Sequence, residues 1–543
     1  MLRLPFKCPP CRRLSALLLP LCLYFLPAKG QQYHNWVFGN GVRLSFDLTG
    51  RSSAPAVVSG SNLLTFEGSA SISDRMGNLL FYSNGVRLMN REHQPVLGSA
   101  GLKGHESTFQ AALLLPQPGN DSIFFLVSAD AFQNEYRGGY HYSVINRLRD
   151  SGRGEVVRKN VPLHSMGTER LTAAYHANGQ DIWIITEDRT QQELRAWLLS
   201  CDGISEQPVD SRYQRGLNDY SIWGIGAMKV SPDGRHLCLT HYPEDAETVA
   251  EDFFHLFDFD NRTGRFSNEK VITQSGSGFF GCEFSPDSRM LYLSRPHLGS
   301  IAQYDISGTQ VQDIAGSFEA IPALIGFYAM QLGPDGRIYI ARSRTLLSVI
   351  DNPNGKGSAA GYRPDRIKLN NDANIGLPFV LQPLDPAPHR LNWDITDSCA
   401  GDVRFTATSL LPDATFTWDF GDGTTGSGPV VPHRYDSINK QYVATLTVRS
   451  SGLCAPLVVS KALVPGGILA EAAFEAATSC SSLEVQFRNR SVYHDSARVT
   501  FLWSFGDGNT STEREPKHAF IQAGNYPVQL TLKAFNSCTA DSV

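Results

Sequence analysis

The stretch SPDGRHLCLTH, residues 231–241, shows the pattern that decides the fold of most of this chain. A Ser-Pro-Asp-Gly segment favours a tight turn, because proline presets φ at the second position and glycine accepts a left-handed backbone at the end. The serine and aspartate side chains bond to the turn backbone. Apolar residues alternate after the glycine, as is typical of a half-buried β-strand. One turn followed by one short strand is therefore predicted here.

The same turn-and-strand pattern recurs at roughly 45 to 60 residues, which is typical of a β-propeller with one four-stranded sheet per blade. Five further copies lie at residues 73–83, 118–128, 176–186, 285–294 and 333–341. At roughly 50 residues per blade, residues 32–385 are predicted to form about seven blades, and six is the alternative. In one copy Ser288 replaces the glycine, so we expect a strained turn or another turn type.

A propeller closes by pairing its first and last strands, which removes exposed sheet edges. We expect the segment Trp36–Phe46 to pair with strands near Phe379–Leu381. No stretch between the turns shows a convincing helical period, so an all-β fold is predicted for this region.

The C-terminal part of the chain contains a duplicated module. Each copy carries a Trp-x-Phe-Gly-Asp-Gly motif, whose shared residues are Trp418, Gly421, Asp422 and Gly423 in the first copy and Trp503, Gly506, Asp507 and Gly508 in the second. The copies have the length and turn spacing of small β-sandwiches. We predict sandwich modules at residues 391–465 and 470–543. The second lacks a counterpart of residues 460–464, so we expect its last strand to be truncated and the sequence to be the front of a longer protein.

The first 30 residues have the pattern of an export signal. Arg3, Lys7, Arg12 and Arg13 precede an apolar core from Leu14 to Leu26, and Ala28-Lys29-Gly30 offers small residues for cleavage before Gln31. The alternative is a membrane anchor, for which the apolar run is short. No second run reaches the roughly 18 residues of a membrane helix, so no transmembrane segment is predicted in the mature chain.

The charge of the chain argues against nucleic acid as a partner. The net charge is −5, and an acidic body lacks the basic footprint that phosphate binding requires. Kinase, P-loop, Rossmann and GxSxG patterns are absent from the sequence. The histidines within residues 32–385 show no metal-ligand spacing, which favours structural roles.

The cysteines of the modules fall into two similar spacings. An exported chain reaches an oxidising compartment, where disulfides persist. We therefore predict that Cys399 pairs with Cys454 and Cys480 with Cys538. Cys238 and Cys282 lie in neighbouring repeats, and two buried free thiols are favoured there over a third bridge.

Several other residues have both a functional and a structural interpretation. Asp422 and Asp507 could ligate calcium, but aspartate is also what a tight turn requires, and the turn role is favoured, with no cofactor predicted. Core positions are favoured over carbohydrate platforms for the two motif tryptophans. For Glu169 and Arg170, a structural salt bridge or turn is favoured over a place at the channel.

The duplicated motif and its flanking strands resemble PKD domains, which are immunoglobulin-like sandwiches. The front of the chain resembles secreted PKD-domain proteins of Bacteroidetes, many of which carry type IX secretion or gliding-motility-associated C-terminal domains. The segments that carry this resemblance are Trp36–Gly39, Glu67–Asp74, Gly77–Val86, Thr168–Ala173 and Asp181–Ile185. The resemblance implies a non-catalytic protein at the extracellular or outer-membrane surface of a Gram-negative bacterium.

Two function classes follow. The first is a surface binding or scaffold protein, whose propeller recognises a protein or glycan, with outer-membrane secretion or gliding components favoured, and whose PKD modules act as spacers. The second is a secreted propeller hydrolase or lyase that acts on polysaccharide or peptide. An enzyme needs convergent titratable groups with perturbed pKa values, whereas a binder needs a surface patch. The first class is favoured, and no catalytic residues are predicted.

Overall fold

The computed structural model describes residues 31–46, 54–214, 224–242, 251–276, 278–342, 344–383, 392–398, 401–409, 411, 413–437, 440–465, 472–478, 483–491, 498–522, 524–535 and 540–542. The chain divides into two compact units, one of residues 25–389 and one that contains residues 390–543. The predicted export signal lies outside the described residues.

The first unit is built from antiparallel sheets whose strands follow each other along the chain. Its opening strands are β1 (Asn35–Phe38), β2 (Val42–Ser45), β3 (Ala56–Val58), β4 (Ser69–Ser73), β5 (Leu79–Ser83) and β6 (Leu88–Asn90). Strands β1–β3 form one sheet, and β4–β6 form another. Strands β1, β4, β5 and β6 are buried along their whole length, β2 alternates between buried and half-buried residues, and β3 is mostly exposed.

Five regular sheets follow, each of four strands or more. The first two contain β7 (Ala112–Gln117), β8 (Asn120–Ala129), β9 (Tyr140–Asn146) and β10 (Glu155–His164), then β11 (Leu171–Tyr175), β12 (Ile182–Asp188), β13 (Glu193–Ser200), β14 (Gly203–Ile204) and β15 (Val209–Arg212). The third contains β16 (Met228–Val230), β17 (His236–Thr240), β18 (Glu251–Asp260) and β19 (Arg265–Ser275). The last two contain β20 (Cys282–Phe284), β21 (Met290–Arg295), β22 (Ser300–Asp305) and β23 (Glu319–Pro322), then β24 (Phe327–Leu332), β25 (Ile338–Arg342), β26 (Leu346–Ile350) and β27 (Tyr362–Lys368).

Helical segments are short. They are α1 (Val311–Gly316) and the 3-10 turns Gln31–Tyr33, Phe132–Asn134, Asp150–Gly152 and Gly357–Ala360. Among the described residues no helix is long and apolar enough to cross a membrane.

Seven chain segments surround a central channel, which makes the first unit a propeller. Each segment contributes at least one residue to the channel, namely Ser69, Ala112, Leu171, Lys229, Cys282, Met330 and Phe379 in chain order. The first six belong to the first strands of successive sheets, and the seventh to β28 (Pro378–Phe379). The predicted all-β propeller is therefore confirmed. The described part of this unit contains seven sheets, and the seven channel segments come from six of them, because β28 belongs to the sheet of β4–β6.

The ring closes at a different strand from the one predicted. Strand β28 pairs in parallel with β4, through Pro378 with Ser69 and Phe379 with Ala70, whereas we expected it to pair within Trp36–Phe46. The reason lies at the edge of β1, which pairs with β2 on one side. On the side facing β4, the Ser69 hydroxyl donates to the Val37 carbonyl at 2.9 Å and the Ser71 hydroxyl to the Asn35 carbonyl at 2.6 Å. These side chains occupy the edge that would have accepted a closing strand.

The repeated turns join the first strand of a sheet to its second strand, and we call the edge of the propeller that they form the turn face. It contains the turns at residues 74–78, 231–235, 285–289 and 333–337. Ser288 adopts the left-handed backbone at φ 62°, so the turn type is kept and carries strain. The Asp233 amide of the neighbouring turn donates to the Ser288 hydroxyl at 3.0 Å, a bond that glycine could not accept.

The opposite edge of the propeller is built from the loops before each first strand and after each second strand, because consecutive antiparallel strands reverse direction. We call it the loop face. It includes residues 65–68, 102–110, 130–139, 165–170, 240–242, 295–299 and 323–326. These loops share no repeated sequence, and they differ in length from sheet to sheet.

The second unit contains two modules with the same strand plan. The first module has β29 (Asn392–Ser398), β30 (Asp402–Thr408), β31 (Thr415–Asp419), β32 (Thr425–Ser427), β33 (Val430–Arg434), β34 (Tyr442–Arg449) and β35 (Leu457–Leu463). The second has β36 (Phe474–Thr478), β37 (Glu484–Asn489), β38 (Arg498–Ser504), β39 (Thr510–Ser511), β40 (Lys517–Ala519), β41 (Gln529–Phe535) and β42 (Ala540–Ser542). In each module a three-stranded and a four-stranded sheet enclose a core. The three-residue β42 takes the place that β35 has in the first module.

Candidate functional site

The propeller channel is packed with side chains. The two cavities along it measure about 10 and 30 Å³, room for one or two water molecules. The buried Lys229 ammonium lies 3.2 Å from the Glu283 carboxylate, which also accepts the Leu332 amide at 2.9 Å. Lys229 also bonds to Gln331. The charged groups of the channel are thus paired with each other. Its cavities are too small to hold a substrate.

A buried ion pair lies under the loop face. Arg170 and Glu187 are 1% and 3% exposed in their side chains and meet at 2.7 Å. The Arg170 guanidinium also donates to the Thr240 carbonyl at 3.0 Å and the Ile225 carbonyl at 3.0 Å. Burial alone would raise the pKa of Glu187, but Arg170 and donated hydrogen bonds outweigh it and hold that pKa below its ordinary value. Arg170 thus joins two sheets by a structural salt bridge.

Two histidines beside Arg170 have complementary free nitrogens. The Arg170 guanidinium donates to His241 Nδ1 at 3.1 Å, which leaves the proton on Nε2. His255 Nδ1 lies 2.8 Å from Glu269, and a proton donated there leaves Nε2 as an acceptor. Both Nε2 atoms are buried without a hydrogen-bond partner, and burial, with Arg170 and His255, lowers the pKa of His241 well below its ordinary value. The two imidazoles are thus each held by one bond, His241 by Arg170 and His255 by Glu269.

A second group of acids lies closer to the surface of the loop face. The two Glu169 oxygens accept the Phe109 amide and the Phe132 amide, both at 3.0 Å. Glu67 accepts the Ser107 hydroxyl at 3.0 Å. Burial raises the pKa of Glu67 to about 8, with a further contribution from the Glu169 charge. Burial also raises the pKa of Glu169 to about 7, against the opposing effect of the two amides and Arg170. The two carboxyl groups therefore form one coupled acid pair.

Aromatic side chains close the channel at the loop face. Phe280 contacts Phe109 at a ring-centroid distance of 4.3 Å, Tyr242 at 4.9 Å and Tyr328 at 5.3 Å, all edge to face. Burial and the neighbouring Tyr328 raise the pKa of Tyr242 to about 12. Phe109 and Phe280 are buried in this cluster, while Tyr242 and Tyr328 are half-buried at its edge.

A far larger space than the channel cavities is a polar cleft on the loop face. It measures about 660 Å³ and lies between residues 102–104 and residues 130–141. Lys103, Gln133, Arg137 and His141 line it. Asp130 is held inside its own loop, because it accepts the Asn134 side chain at 2.8 Å and the Gly138 amide at 2.7 Å. The wall is thus a braced loop that presents polar side chains to solvent.

The predicted motif residues of the modules have structural positions. Trp418 and Trp503 are fully buried, and their indole groups donate to the Gly428 and Glu513 carbonyls, each at 2.9 Å. The motif glycines all have positive φ, at 79° for Gly421, 92° for Gly423, 80° for Gly506 and 96° for Gly508. A Cβ on Gly421 would lie 2.4 Å from the Val443 carbonyl oxygen. These features fit core and turn roles.

The motif aspartates bond to a histidine in both modules. Asp422 accepts His433 at 2.7 Å and the Thr424 hydroxyl at 2.6 Å, and Asp507 likewise lies 2.7 Å from His518. Burial raises the pKa of Asp422 slightly, but Thr424 and His433 hold it below its ordinary value. His433 stacks on Phe420 at 3.9 Å, as His518 does on Phe505 at 4.1 Å. With these oxygens engaged, and with no cluster of three potential metal ligands among the described residues, the calcium interpretation gains no support.

The cysteines are described in part. Cys201 and Cys454 each take part in a disulfide. Cys238 and Cys282 are buried free thiols, as the sequence favoured. Cys399, Cys480 and Cys538 lie outside the described residues, so the two predicted pairings stay predictions.

Sequence reasoning singled out Glu169 and Arg170 but missed their partners. Glu187 lies on the next strand of the same sheet, whereas Glu67 and the His241–His255 pair come from other sheets, and only the fold brings them together. One usable signal was present: the apolar run of β12 ends in Thr-Glu-Asp, residues 186–188, and a charge continuing a buried strand requires a partner. The cleft gave no sequence signal.

Residues 387–456 and 469–542 match the family described as PKD domain. Over 51 residues the chain is 43% identical to collagenase ColA of Bacillus cereus, a stretch that covers 9% of this chain and 5% of that protein. Over 50 residues it is 44% identical to the pre-pro-metalloprotease PrtV of Vibrio cholerae, again 9% of this chain and 5% of that protein. The chain thus spans only a small part of the length of these relatives.

Among solved structures, a putative 6-phosphogluconolactonase from Bacteroides uniformis is 14% identical, over 80% of this chain and 97% of that chain, with a TM-score of 0.33. A chain of a nidogen/laminin complex is 11% identical, over 56% of this chain and 98% of that chain, with a TM-score of 0.32. At these TM-scores the likenesses carry no argument about function.

Proposed function

We propose that this is an exported, non-enzymatic binding protein of the cell surface, whose propeller holds a partner at the loop face while its PKD modules act as spacers. The observation that carries the proposal is the contrast between the filled channel and the open cleft of about 660 Å³ on the loop face. Binding sites on rigid scaffolds are built from such surface loops.

The side chains of the cleft favour surface recognition. Among the described residues Lys103 Nζ makes no hydrogen bond or ion pair, and the exposed Arg137 pairs at 2.5 Å with the equally exposed Glu135. Such rim charges steer and orient a partner more than they hold it. Gly104 and Gly138 in the walls carry no side chain that would narrow the cleft.

The PKD modules suit a spacer role because their conspicuous residues are used internally. Trp418 and Trp503 are buried, and Asp422 and Asp507 are bonded to histidines. The segments between domains, near residues 383–388 and 465–467, contain proline and glycine, and short proline-containing linkers limit how freely modules swing.

The proposed site of action is outside the cytoplasm, after cleavage of residues 1–30. The partner is a protein or glycan of the surface, and outer-membrane secretion or gliding components of a Gram-negative producer are favoured by the resemblance described above. No cofactor and no nucleic acid take part in the proposed function.

The test is capture of a partner by the full mature chain, from producer envelopes and on a glycan array. The double variant Lys103→Glu, Arg137→Glu reverses the cleft charge, and we expect it to lose the captured partner. A matched variant, Arg149→Glu, makes the same kind of change at an exposed position on the turn-face edge of the same sheet, and we expect it to keep the partner. Equal capture by both variants would show that the cleft is not the site.

A secreted hydrolase or lyase is the second candidate, and the coupled acid pair Glu67–Glu169 is the observation that favours it. Raised pKa values in paired carboxyl groups are typical of acid catalysts. The discriminating experiment screens polysaccharide and peptide substrates with the purified protein. Turnover that persists in the wild type and disappears in Glu67→Gln would replace the binding proposal with the enzymatic one.

A further inference from the structure

A chain of hydrogen bonds links the acid pair to the wall of the cleft. The Gln133 side chain, which lines the cleft, donates to the Ser107 hydroxyl at 3.0 Å. The Ser107 hydroxyl in turn donates to Glu67 at 3.0 Å. A change at the Glu67 carboxyl group therefore reaches the cleft through a single serine.

Glu169 fastens the same two loops from the other side. Its two oxygens accept the amides of Phe109, two residues after Ser107, and Phe132, one residue before Gln133. Bonds from two amides favour the ionised form of a carboxyl group. When the pair holds one proton, that proton therefore belongs mainly to Glu67, which is half-buried and has the single serine donor.

We infer that one proton, shared between Glu67 and Glu169, keeps the inner wall of the cleft in place, so that losing this proton loosens the wall and weakens binding there. The proton passes to solvent, and two adjacent carboxylates remain. Glu67, the more exposed of the two, then turns towards water and releases Ser107 and with it Gln133. This inference rests on the proposed function, because it gives the cleft of that function a pH response.

Other charged and titratable groups lie near the acid pair, and the experiment must distinguish their effects from those of the pair. Arg170, Asp130 and the Tyr136 hydroxyl interact with Glu169. His105 accepts the Ser107 amide at 3.1 Å and is a titratable neighbour on the same loop. His141 lies beyond Asp130 at the cleft, where burial and Lys103 lower its pKa.

The direction of the pH response follows from linkage. The carboxyl pair has higher pKa values when the loops are closed than when they are open. At any pH between these values, the closed structure holds a proton that is released when the loops open. The opening equilibrium of the loops therefore rises with pH, by up to about tenfold per pH unit from about pH 5 to about pH 7, and levels off near pH 8.

The test is amide hydrogen exchange of the full mature chain without any partner, from about pH 5 to pH 9, corrected for the intrinsic pH dependence of exchange. We expect peptides that cover residues 105–110 and 131–136 to show the rise, and Glu67→Gln to abolish it. Glu106→Gln changes an exposed acid of the same loop, and His105→Gln removes the nearby imidazole. Both of these variants are expected to keep the rise.

A second variant guards against a Glu67→Gln protein that does not fold. Ser107→Ala cuts the link, so we expect residues 131–136 to lose the rise while residues 105–110 keep it. The inference is overturned if wild type and Glu67→Gln respond alike, if His105→Gln removes the response, or if neither segment responds. Because no partner is present, this result is independent of the capture experiment with the charge-reversed cleft.

Discussion

The turn face and the loop face of the propeller belong to the same sheets but are built differently. On the turn face, short turns repeat one chemistry, and each aspartate or serine satisfies its own turn, as Asp74 does for the amides of Met76 and Asn78. On the loop face, loops of unequal length bring Glu67 from one sheet within electrostatic range of Glu169 from another. Repetition thus marks the scaffold, and the irregular edge carries the charges that a function can use.

The largest expected difference between the faces is the effect of losing one arginine. Arg170→Met leaves Glu187 buried without its partner, and we expect a loss of about 3 to 5 kcal/mol in the free energy of unfolding. The turn-face pair Arg75–Asp121 is as close, at 2.7 Å, but 71% and 52% exposed, so Arg75→Met should change little. Urea-induced unfolding of both variants measures this. Similar losses would show that the faces do not differ in this respect.

Glycine substitutions compare the two faces at matched backbone geometry. Gly139 on the loop face has φ 64° and Gly336 on the turn face has φ 77°. An added Cβ would lie 2.2 Å from the His164 carbonyl oxygen at Gly139, but no closer than 3.9 Å to any atom at Gly336. Alanine at position 336 adds only left-handed backbone strain, so Gly336→Ala should lower the free energy of unfolding by about 1 to 2 kcal/mol. Gly139→Ala adds a steric clash as well and should lower it clearly more. Thermal unfolding of the two variants shows which one loses more stability. A smaller loss for Gly139→Ala than for Gly336→Ala would contradict the expectation.

The pH dependence of stability should come from the loop face. Because burial raises the pKa values of Glu67 and Glu169, with a further contribution from the Glu169 charge at Glu67 and from Asp130 at Glu169, the folded chain holds a proton that the unfolded chain releases. Stability should therefore fall as pH rises from about 5 towards 7, by up to about 1.4 kcal/mol per pH unit.

Urea unfolding at a series of pH values measures this slope. Glu67→Gln should flatten it, and the turn-face variant Asp74→Asn should leave it unchanged. A slope that survives in Glu67→Gln would assign the titration to other groups.

The smallest effect is expected at the one irregular turn of the turn face. Ser288→Gly removes backbone strain of about 1 kcal/mol but loses the bond from the Asp233 amide, which contributes about as much. We expect no net change. Ser288→Ala loses the bond and keeps the strain, so it should destabilise by about 1 kcal/mol. Thermal unfolding of the two variants measures the difference. If Ser288→Gly and Ser288→Ala were equally stable, the backbone strain at residue 288 would be negligible.

The turn face and the modules could be predicted from the sequence because their signals are local. A Ser-Pro-Asp-Gly turn and a Phe-Gly-Asp-Gly turn need only neighbouring residues to define them. The closing strand was placed wrongly, because which edge Ser69 and Ser71 occupy depends on contacts with β1, some 35 residues away. The acid pair requires Glu67 and Glu169, which precede strands of different sheets, to lie near each other. The patterns of a single sequence do not show which distant residues become neighbours.

The seam between β28 and β4 has a consequence for how the chain is made. Near this seam Asn374 donates to the Thr65 carbonyl, 309 positions earlier in the chain. At a synthesis rate of about 5 to 20 residues per second, strand β4 therefore waits roughly 15 to 60 seconds for its parallel neighbour. Until then its edge is free to pair with another chain. Ring closure therefore requires that the chain be made at least to Phe379, and the free edge of β4 is open to wrong pairing until then.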